Sequence, residues 1–185
     1  MSQPIPYKSL LLVLTPLLFG FDQVTKAAVR VGMPLDAAGR SERIDIIPGF
    51  FRLVHAENTG AAFSMFGESS FRGPLFVGVF LMALVTIGIM IRQLEPGQKM
   101  MATSLSLVLA GAMGNSLDRF TRGEVTDFLS VYASGPLGEL LRDVIGTRFF
   151  PIFNVADICI NVGVALYVLH TIKVLREPTP EAAEA

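Results

Sequence analysis

The sequence has very few of the residues that build disulfide frameworks and metal centres. It contains one cysteine, Cys159, and two histidines, His55 and His170. A single cysteine cannot form an internal disulfide or a multi-cysteine metal site, and no HExxH motif is present to bind zinc. Cys159 lies inside an apolar run, which indicates a small packing residue. These shortages argue against a disulfide scaffold and against a zinc or metalloprotease site.

Charged residues are also scarce. They make up 17% of the 185 residues, whereas 51% are hydrophobic, and the mean hydropathy is +0.54. An ordinary soluble domain has about 25% charged residues. The net charge of −1 gives no indication of a nucleic-acid partner, and the length fits one domain. The composition therefore predicts a single domain embedded in a membrane.

Four apolar stretches are candidates to cross that membrane, which takes roughly 18 or more mostly apolar residues. Two are free of charge, at 74–91 and 100–117, and a third, at 149–172, is broken only by Asp157. The first begins at Ser9 and is long enough only if it continues through charged residues to about Val31. The expected transmembrane helices are at about 7–30, 73–93, 99–119 and 151–175.

The first stretch has a second interpretation. Lys8 followed by about a dozen apolar residues resembles a secretory signal peptide. No convincing small-x-small cleavage site follows, and Asp22 and Lys26 stand at i,i+4, where they can neutralise each other on one helix face. A retained helix is therefore the favoured interpretation.

The segments between the expected helices differ in length. The connection at 92–99 is short, and the other two are long. Alternating and β-branched residues, with Gly and Pro between them, predict a small β-rich cradle within 40–70. In the loop at 129–150, apolar residues repeat at helical spacing opposite charged ones, which predicts a short amphipathic helix at the membrane interface. The tail at 177–185 is expected to be disordered.

Together these elements give the predicted fold class. It is an all-α membrane protein with four transmembrane helices, a small β-rich cradle and a short amphipathic helix, in a single domain at 1–176. Four crossings place both termini and the short connection on one side of the membrane and both long loops on the other. Lys and Arg occur on both sides, so the positive-inside rule leaves open which side is cytoplasmic.

Unusual polar residues gather at the long-loop end of the expected bundle. Asp22 and Lys26 lie near that end of the first helix, and Asn58 lies in the first long loop. The third helix carries a set of residues at i, i+3, i+4, i+7 and i+8, which share one helix stripe. They are Gly111, Gly114, Asn115, Asp118 and Arg119.

Two further acids occur at the same end. Asp127 comes just past the third helix, and Asn154, Asp157 and Asn161 recur at i, i+3 and i+7 on the fourth. Two carboxylates at one depth repel each other unless they share a proton. An aspartic hydrolase uses such a pair, because the ionised acid takes a proton from water while the protonated acid polarises the scissile carbonyl.

Each polar residue also has a structural explanation. Asp22 with Lys26, and Asp118 with Arg119, can be ion pairs, and Arg119 can be an interface residue with its charge in water. Asn58 can supply only a turn, Asp127 can be a solvated loop carboxylate, and Asp157 can be favoured by the helix dipole. The two glycines are expected to permit close helix packing.

Five motifs occur in an order and spacing that resemble the lipoprotein signal peptidases, also called signal peptidase II. They are DQVTK (22–26), NTGAAFS (58–64), GAMGNSLDR (111–119), VTDF (125–128) and FNVAD (153–157). The resemblance implies a bacterial inner-membrane aspartyl endopeptidase. Such enzymes cleave prolipoproteins before a diacylglyceryl-modified cysteine, with both termini cytoplasmic and the cradle, short helix and active site facing the periplasm.

The resemblance also implies a role for each matched residue. Asp127 and Asp157 match the catalytic pair. The residues that match the substrate groove are Asn58, Asn115, Arg119 and Asn154. Structural support is implied for Asp22, Lys26, Gly111, Gly114 and Asp118, the role of Asp118 being the least defined. The implied partners are a prolipoprotein signal peptide with its diacylglyceryl cysteine and membrane lipids. No cofactor or metal is implied, and we expect a monomer.

One segment departs from the resemblance. The stretch from Leu129 to Ile152 is longer than is usual between the two acidic motifs, and the extra length includes the amphipathic stretch. We expect this stretch to form an enlarged lid over the active site.

Three other functions compete with this interpretation. The charges could form the relay of a proton-coupled transporter, although they crowd one end of the bundle. Lys26 could serve a serine–lysine peptidase with Ser64 or Ser116, although Asp22 one turn away favours its charged form. The protein could also be a lipid-binding scaffold whose polar residues are only structural.

Overall fold

The computed structural model describes residues 7–60 and 72–176. These contain five helices and three strands. In chain order they are α1 (Tyr7–Gly32), β1 (Arg43–Ile47), β2 (Phe51–Asn58), α2 (Arg72–Arg92), α3 (Lys99–Arg122), β3 (Val125–Val131), α4 (Gly135–Ile145) and α5 (Val155–Arg176). The expected disordered tail at 177–185 and the part of the cradle beyond residue 60 lie outside the described residues.

Four helices are long and apolar enough to cross a membrane: α1, α2, α3 and α5. Their bounds agree with the expected helices except at two ends. Helix α3 continues to Arg122, where Gly123 ends it with φ 82° and an N–H that donates to the Arg119 carbonyl. Helix α5 begins at Val155, later than the expected residue 151, because the segment before it is extended and pairs with β3.

The strands form one antiparallel sheet in the order β1-β2-β3. The cradle segment supplies β1 and β2, but the third strand comes from the residues directly after α3, which was not expected. Asp127 therefore lies on a strand, opposite Ala56 of β2, and not in a loop. Asp127 lies in a strand because the residues after α3 pair with the edge of β2 that β1 leaves free.

Helix α3 is the centre of the bundle and packs closely against α5. A Cβ added at Gly111 would collide with the Ala156 carbonyl oxygen and lie 2.7 Å from Ile160 Cγ1. On the other helix, a Cβ at Gly163 would lie 2.7 Å from Val108 Cγ2. The expected packing role of the helix glycines is thus seen at Gly111, where a side chain would push two helices apart.

The segment between Asp127 and Asp157 forms a ladder with α4 at its tip. Leu129 pairs with Phe153 and Tyr132 with Phe149, so the chain leaves and returns side by side. The expected amphipathic helix is present. Among the described residues, no hydrogen bond or ion pair joins α4 to Asp127, to Asp157 or to the polar residues around them. The role of α4 as a lid stays a prediction.

Candidate active site

Lys26 lies at the base of a polar cluster between α1, α3 and α5. Its side chain is fully buried, and its Nζ lies 2.9 Å from Asp22 Oδ2 and 3.1 Å from Asp118 Oδ2. The same Nζ donates to Asn115 Oδ1 at 2.9 Å. All three N–H groups of the ammonium thus have acceptors, which is what a buried charge requires.

Asp22 connects Lys26 to the start of α5. The Ala156 N–H donates to Asp22 Oδ1 at 2.8 Å, which places a carboxylate at the N-terminus of the helix, where the dipole favours a negative charge. Gly114 leaves room for it, because a Cβ there would collide with Asp22 Oδ2. The second expected packing glycine therefore also permits close helix approach, to the Asp22 carboxylate of α1 and to Ala156 of α5.

Asp118 links the cluster to the sheet. Its Oδ2 accepts a hydrogen bond from the Thr126 N–H at 3.3 Å, and Arg30 Nη1 lies 4.0 Å from its Oδ1. Arg30 also donates to Thr126 Oγ1 at 3.0 Å. Asp118 is paired with Lys26 and Arg30, not with its neighbour Arg119, and it fixes β3 beside α3. These contacts are consistent with the structural support expected for Asp118, whose role stays a prediction.

Asn115 connects Lys26 to Asp157 through hydrogen bonds at both ends of its side-chain amide. Its Oδ1 accepts from Lys26 and, at 3.1 Å, from Asn154 Nδ2, so its own Nδ2 is left to donate. That Nδ2 donates to Asp157 Oδ1 at 2.8 Å. The lysine thus determines which end of the amide faces the carboxylate.

Asn154 and Asp157 form a reciprocal cap at the start of α5. The Asp157 N–H donates to Asn154 Oδ1 at 3.0 Å, and the Asn154 N–H donates to Asp157 Oδ2 at 3.1 Å. This is the pattern of a capping box, with Asn and Asp in place of the usual Ser or Thr and Glu. Asn154 therefore precedes the helix, contrary to the expectation that it lies on the helix with Asp157.

Asp127 is held by two amides from different elements. Its Oδ1 accepts from Asn154 Nδ2 at 2.7 Å, and its Oδ2 accepts from Asn58 Nδ2 at 2.9 Å. Asn58 also forms a turn, since its Oδ1 accepts from the Gly60 N–H at 2.8 Å. Asn154 contacts both acids, so the structure brings Asp127 and Asp157 together around one amide.

The environment of Asp127 favours its protonated form. Only 2% of the residue is exposed, and this burial raises the pKa of the carboxyl to about 6, against the lowering effect of the Asn58 hydrogen bond. Among the smaller causes, the charge of Asp157 also raises this pKa, whereas the Asn154 hydrogen bond and the charge of Lys26 lower it. Asp127 therefore holds its proton up to about pH 6, and it lies beside Asp157, whose side chain is more exposed.

Arg119 lies one turn after Asn115 on α3, at the mouth of a groove. Its guanidinium stacks over the Phe76 ring at 4.9 Å, and its Nη1 donates to the Asn115 carbonyl at 3.3 Å. A cavity of about 300 Å³ between α2 and α3 is lined by Arg119, Asn115 and Phe76. It shares Val79 with a larger apolar cavity of about 510 Å³, so apolar space leads from the polar cluster along the helices.

Two residues of the cluster were missed by the sequence reasoning. Arg30 and Thr126 were not singled out, although Arg30 follows Lys26 by one turn on the same helix stripe. Asn161 was placed on the acidic stripe, but its exposed side chain donates only to the Asp157 main-chain carbonyl. Thr126 lies within the VTDF motif (125–128), but its contacts were not predicted, because its position depends on the unexpected strand.

One competing interpretation can be compared with this geometry. The serine–lysine alternative requires a lysine with a free lone pair, whereas the Lys26 ammonium has three acceptors. Ser64 lies outside the described residues. In the described parts of the chain, no three His, Cys, Asp or Glu side chains are placed to hold a metal ion.

Comparison with known proteins gives one consistent result. A family model described as signal peptidase (SPase) II matches residues 14–173. The lipoprotein signal peptidase of Symbiobacterium thermophilum is 42% identical over 158 residues, which cover 85% of this chain and 91% of the relative. That of Geobacter metallireducens is 38% identical over 161 residues, which cover 87% of this chain and 89% of the relative.

A solved structure shares the fold. It is described as a bacterial membrane enzyme and superimposes with a TM-score of 0.70 at 26% sequence identity, covering 92% of each chain. A second, also described as a bacterial membrane enzyme, has the same TM-score and identity and covers 91% of this chain. The four spans, the small sheet and the polar cluster therefore occur in a chain that resembles known membrane peptidases over nearly its whole length.

Proposed function

The chain belongs to the signal peptidase II family of aspartic-type membrane peptidases, and on this premise we propose that Asp127 and Asp157 are its catalytic pair. The proposed reaction removes the signal peptide from prolipoproteins at the bacterial inner membrane. The observation that carries this assignment is the shared amide of Asn154, which donates to Asp127 while its main chain and Oδ1 hold Asp157.

The two acids are proposed to have different roles in the resting enzyme. Asp157 is half-buried, accepts from Asn115 and from the Asn154 N–H, and stands in the first turn of α5, where the dipole favours the ionised form. Asp127 is buried, and its pKa is raised to about 6. Asp157 is therefore the base, and Asp127 is the acid.

The proposed chemistry begins with a water molecule between the acids. Asp157 removes a proton from this water, its oxygen attacks the scissile carbonyl carbon, and Asp127 gives its proton to the carbonyl oxygen. The resulting gem-diol collapses when Asp127 takes back a hydroxyl proton and Asp157 gives its proton to the leaving amine. The C–N bond breaks, and both acids return to their starting protonation states.

The other polar residues are proposed to hold this pair and the substrate. Asn58, Asn115, Arg119 and Asn154 surround the acids and can bind the extended peptide around the scissile bond. Asp22, Lys26 and Asp118 are positioning residues, because they reach Asp157 through Asn115 and Asp127 through β3. Glycines 111 and 114 permit the close approach that this network needs.

The substrate is proposed to enter from the lipid. The apolar cavities between α2, α3 and α5 match the apolar segment of a signal peptide, and a diacylglyceryl cysteine would keep the scissile bond at the membrane surface. We assign the polar cluster to the periplasmic side, with both termini and the short connection at 93–98 in the cytoplasm. The enzyme is proposed to act as a monomer.

The test is cleavage of a diacylglyceryl-modified prolipoprotein by purified protein. Asp127→Asn and Asp157→Asn are each expected to lower kcat by at least about 10³-fold, since each removes one of the two groups that transfer protons. Asp143→Asn, which removes an exposed carboxylate on α4, is the matched control and should cleave normally. Unmodified prolipoprotein should be cleaved poorly by the wild-type enzyme.

Thermal unfolding separates lost chemistry from lost folding. Both site variants should unfold as cooperatively as the wild type. Substantial cleavage by either variant would contradict the assignment of the pair, while equal cleavage of modified and unmodified substrate would contradict only the lipid requirement.

A further inference from the structure

Helix α4 carries an apolar stripe that the described parts of the chain leave largely uncovered. Leu137, Leu140 and Val144 are 60%, 58% and 71% exposed. Their spacing of i, i+3 and i+7 places them on one side of the helix, and we call these three residues the α4 stripe. The charged residues Glu139 and Arg142 are exposed on the opposite side.

The remaining side of α4 is packed. A Cβ at Gly138 would collide with the Ala133 carbonyl oxygen, so the helix lies directly on the backbone beneath it. The Ser134 N–H donates to the Gly49 carbonyl at 3.1 Å and ties the start of the helix to the β1–β2 turn. The packed side of α4 is adjacent to the stripe, and the exposure of Leu137, Leu140 and Val144 shows that the stripe itself faces outward.

The position of α4 along the chain places it close to the membrane boundary. The ladder that carries it starts directly after α3 and ends directly before α5, both of which are spans. Phe153, which pairs with Leu129, lies two residues before α5. The headgroup layers extend about 5–8 Å beyond each face of the hydrocarbon core, so a ladder that lies along the bilayer surface brings α4 within reach of lipid.

Neighbouring surface residues are apolar as well. Phe50, Phe149 and Phe150 are 54%, 46% and 62% exposed. The first and last of them, with Leu137 and Leu141, line a cavity of about 240 Å³ beside α4. Water-facing surfaces of soluble proteins rarely expose contiguous apolar patches of this kind. The lipid-facing side of α1 has the same character, with Val24 67% exposed.

The charges near the stripe do not indicate an anionic ligand. Glu139 and Asp143 are balanced by Arg142 and Arg148 on the same ladder. An amphipathic helix with little net charge binds a bilayer through its apolar side, and charge adds little. Lipid is therefore favoured over a charged protein partner.

We propose that α4 inserts its stripe among the lipids of the leaflet that borders the candidate active site. Since α4 lies between Asp127 and Asp157 in the chain, this contact holds β3 at a fixed depth relative to the bilayer surface. It goes beyond the catalytic assignment and does not depend on it, because it concerns the lipid contact of α4 and not the chemistry of the acids.

The sequence offers a direct reporter, because it contains no tryptophan. Leu140→Trp places a single indole on the stripe, and Glu139→Trp places one on the polar side of the same turn. Each full-length variant is reconstituted into phosphatidylcholine vesicles with and without acyl-brominated phosphatidylcholine, which quenches tryptophan only on contact with acyl chains. Both replaced residues are exposed, so folding should be preserved, and thermal unfolding checks this.

The expected result is blue-shifted emission from Leu140→Trp, quenched by about two-fold or more, with solvent-like and unquenched emission from Glu139→Trp. High salt should change neither. Unquenched Leu140→Trp emission in substrate-free vesicles overturns the proposal. Shielding that appears only with a lipidated prolipoprotein would show a lid, and shielding that grows with the protein-to-lipid ratio would show a second copy of the chain. Either outcome also overturns it.

Discussion

At the scale of single residues, the two acids differ because their surroundings differ. Asp127 on β3 is almost fully buried and bound by two side-chain amides, whereas Asp157 is half-buried at a helix start. Burial disfavours charge, and a helix N-terminus favours it. A pair with two unlike environments can divide one proton between an acid and a base, which is what the proposed chemistry requires.

The pH dependence follows from the environment of Asp127. Its pKa is raised to about 6, so the proton is present below that pH and is lost as the pH rises through it. We expect kcat/KM to fall on the alkaline side with an apparent pKa near this value, which belongs to the coupled pair. A pH–rate profile of lipopeptide cleavage measures it, and activity that still rises well above pH 7 would contradict the assignment of Asp127 as the acid.

Asn58 offers a directional test of the same group. Its hydrogen bond to Asp127 Oδ2 lowers the pKa of that carboxyl. Asn58→Ala should therefore move the alkaline limb of kcat/KM to higher pH, even if the maximal rate falls. Asn161→Ala is the matched control, because this exposed amide contacts only a main-chain carbonyl and should leave the limb in place. A shift to lower pH would show that another group governs the limb.

Lys26 should make a large contribution to stability. It lies between the carboxylates of Asp22 and Asp118, all nearly inaccessible to water. Removing one partner of a buried ionic group costs about 3–5 kcal/mol, because uncompensated charge stays behind. We expect Lys26→Met to lower the free energy of unfolding by this amount, measured by thermal or denaturant unfolding in detergent.

Two further variants test the cause of that loss. Adding Asp22→Asn and Asp118→Asn to Lys26→Met should recover part of the stability, since the unpaired charges are then gone. Lys173→Met, at an exposed position in the last turn of α5, should change little. A triple variant no more stable than Lys26→Met would show that packing, and not charge, explains the loss.

At the scale of elements, close contact between α3 and α5 is what brings the site residues together. Gly111 meets the α5 backbone at Ala156, one residue before Asp157. A side chain here cannot be accommodated by a rotamer change alone, because the obstacle is a main-chain carbonyl. Asn115, one turn later on α3, then reaches Asp157. The helix interface and the site therefore depend on the same contact.

Gly111→Ala should destabilise the protein and loosen the site. Overpacking of this kind costs about 1–3 kcal/mol, and the displaced Asn115 should also lower kcat. Gly88→Ala on α2 is the matched control, because no atom lies within 4 Å of the added Cβ. It should gain up to about 1 kcal/mol from helix propensity. Unfolding and cleavage assays measure both, and equal stability of the two variants would contradict the close-packing argument.

At the scale of the whole molecule, four spans place the polar cluster and both long segments at one end. We proposed above that this end faces the periplasm, and cysteine labelling can test that orientation. The single cysteine, Cys159, is buried, so a Cys159→Ala background permits labelling of introduced cysteines. Ala38→Cys reports the first long segment, and Gln93→Cys reports the short connection, both at exposed positions.

We expect a membrane-impermeant maleimide to label Ala38→Cys in intact spheroplasts and Gln93→Cys only after lysis. The physical reason is that four crossings put the two positions on opposite sides, with the polar cluster outside. Labelling of both after lysis is the control for reactivity. The reverse pattern in intact cells would invert the proposed orientation without changing the fold.

The sequence by itself determined the spans, the cradle strands β1 and β2, the amphipathic helix and nearly all members of the polar cluster. Hydrophobic length and periodicity are local properties, and they can be read without knowledge of what packs against them. The motif order then pointed to the family. The partners of Asp118, the strand that carries Asp127 and the capping position of Asn154 were not determined in this way.

Only the tertiary structure decided those three features, for one physical reason. A strand, a cap and a buried ion pair are each defined by a partner that is distant in the chain or has a different conformation. Asp118 is explained by Lys26 and by the Thr126 N–H, and β3 by the free edge of β2. Asn154 leaves the helix because Phe153 pairs with Leu129, and from that position its amide contacts both acids.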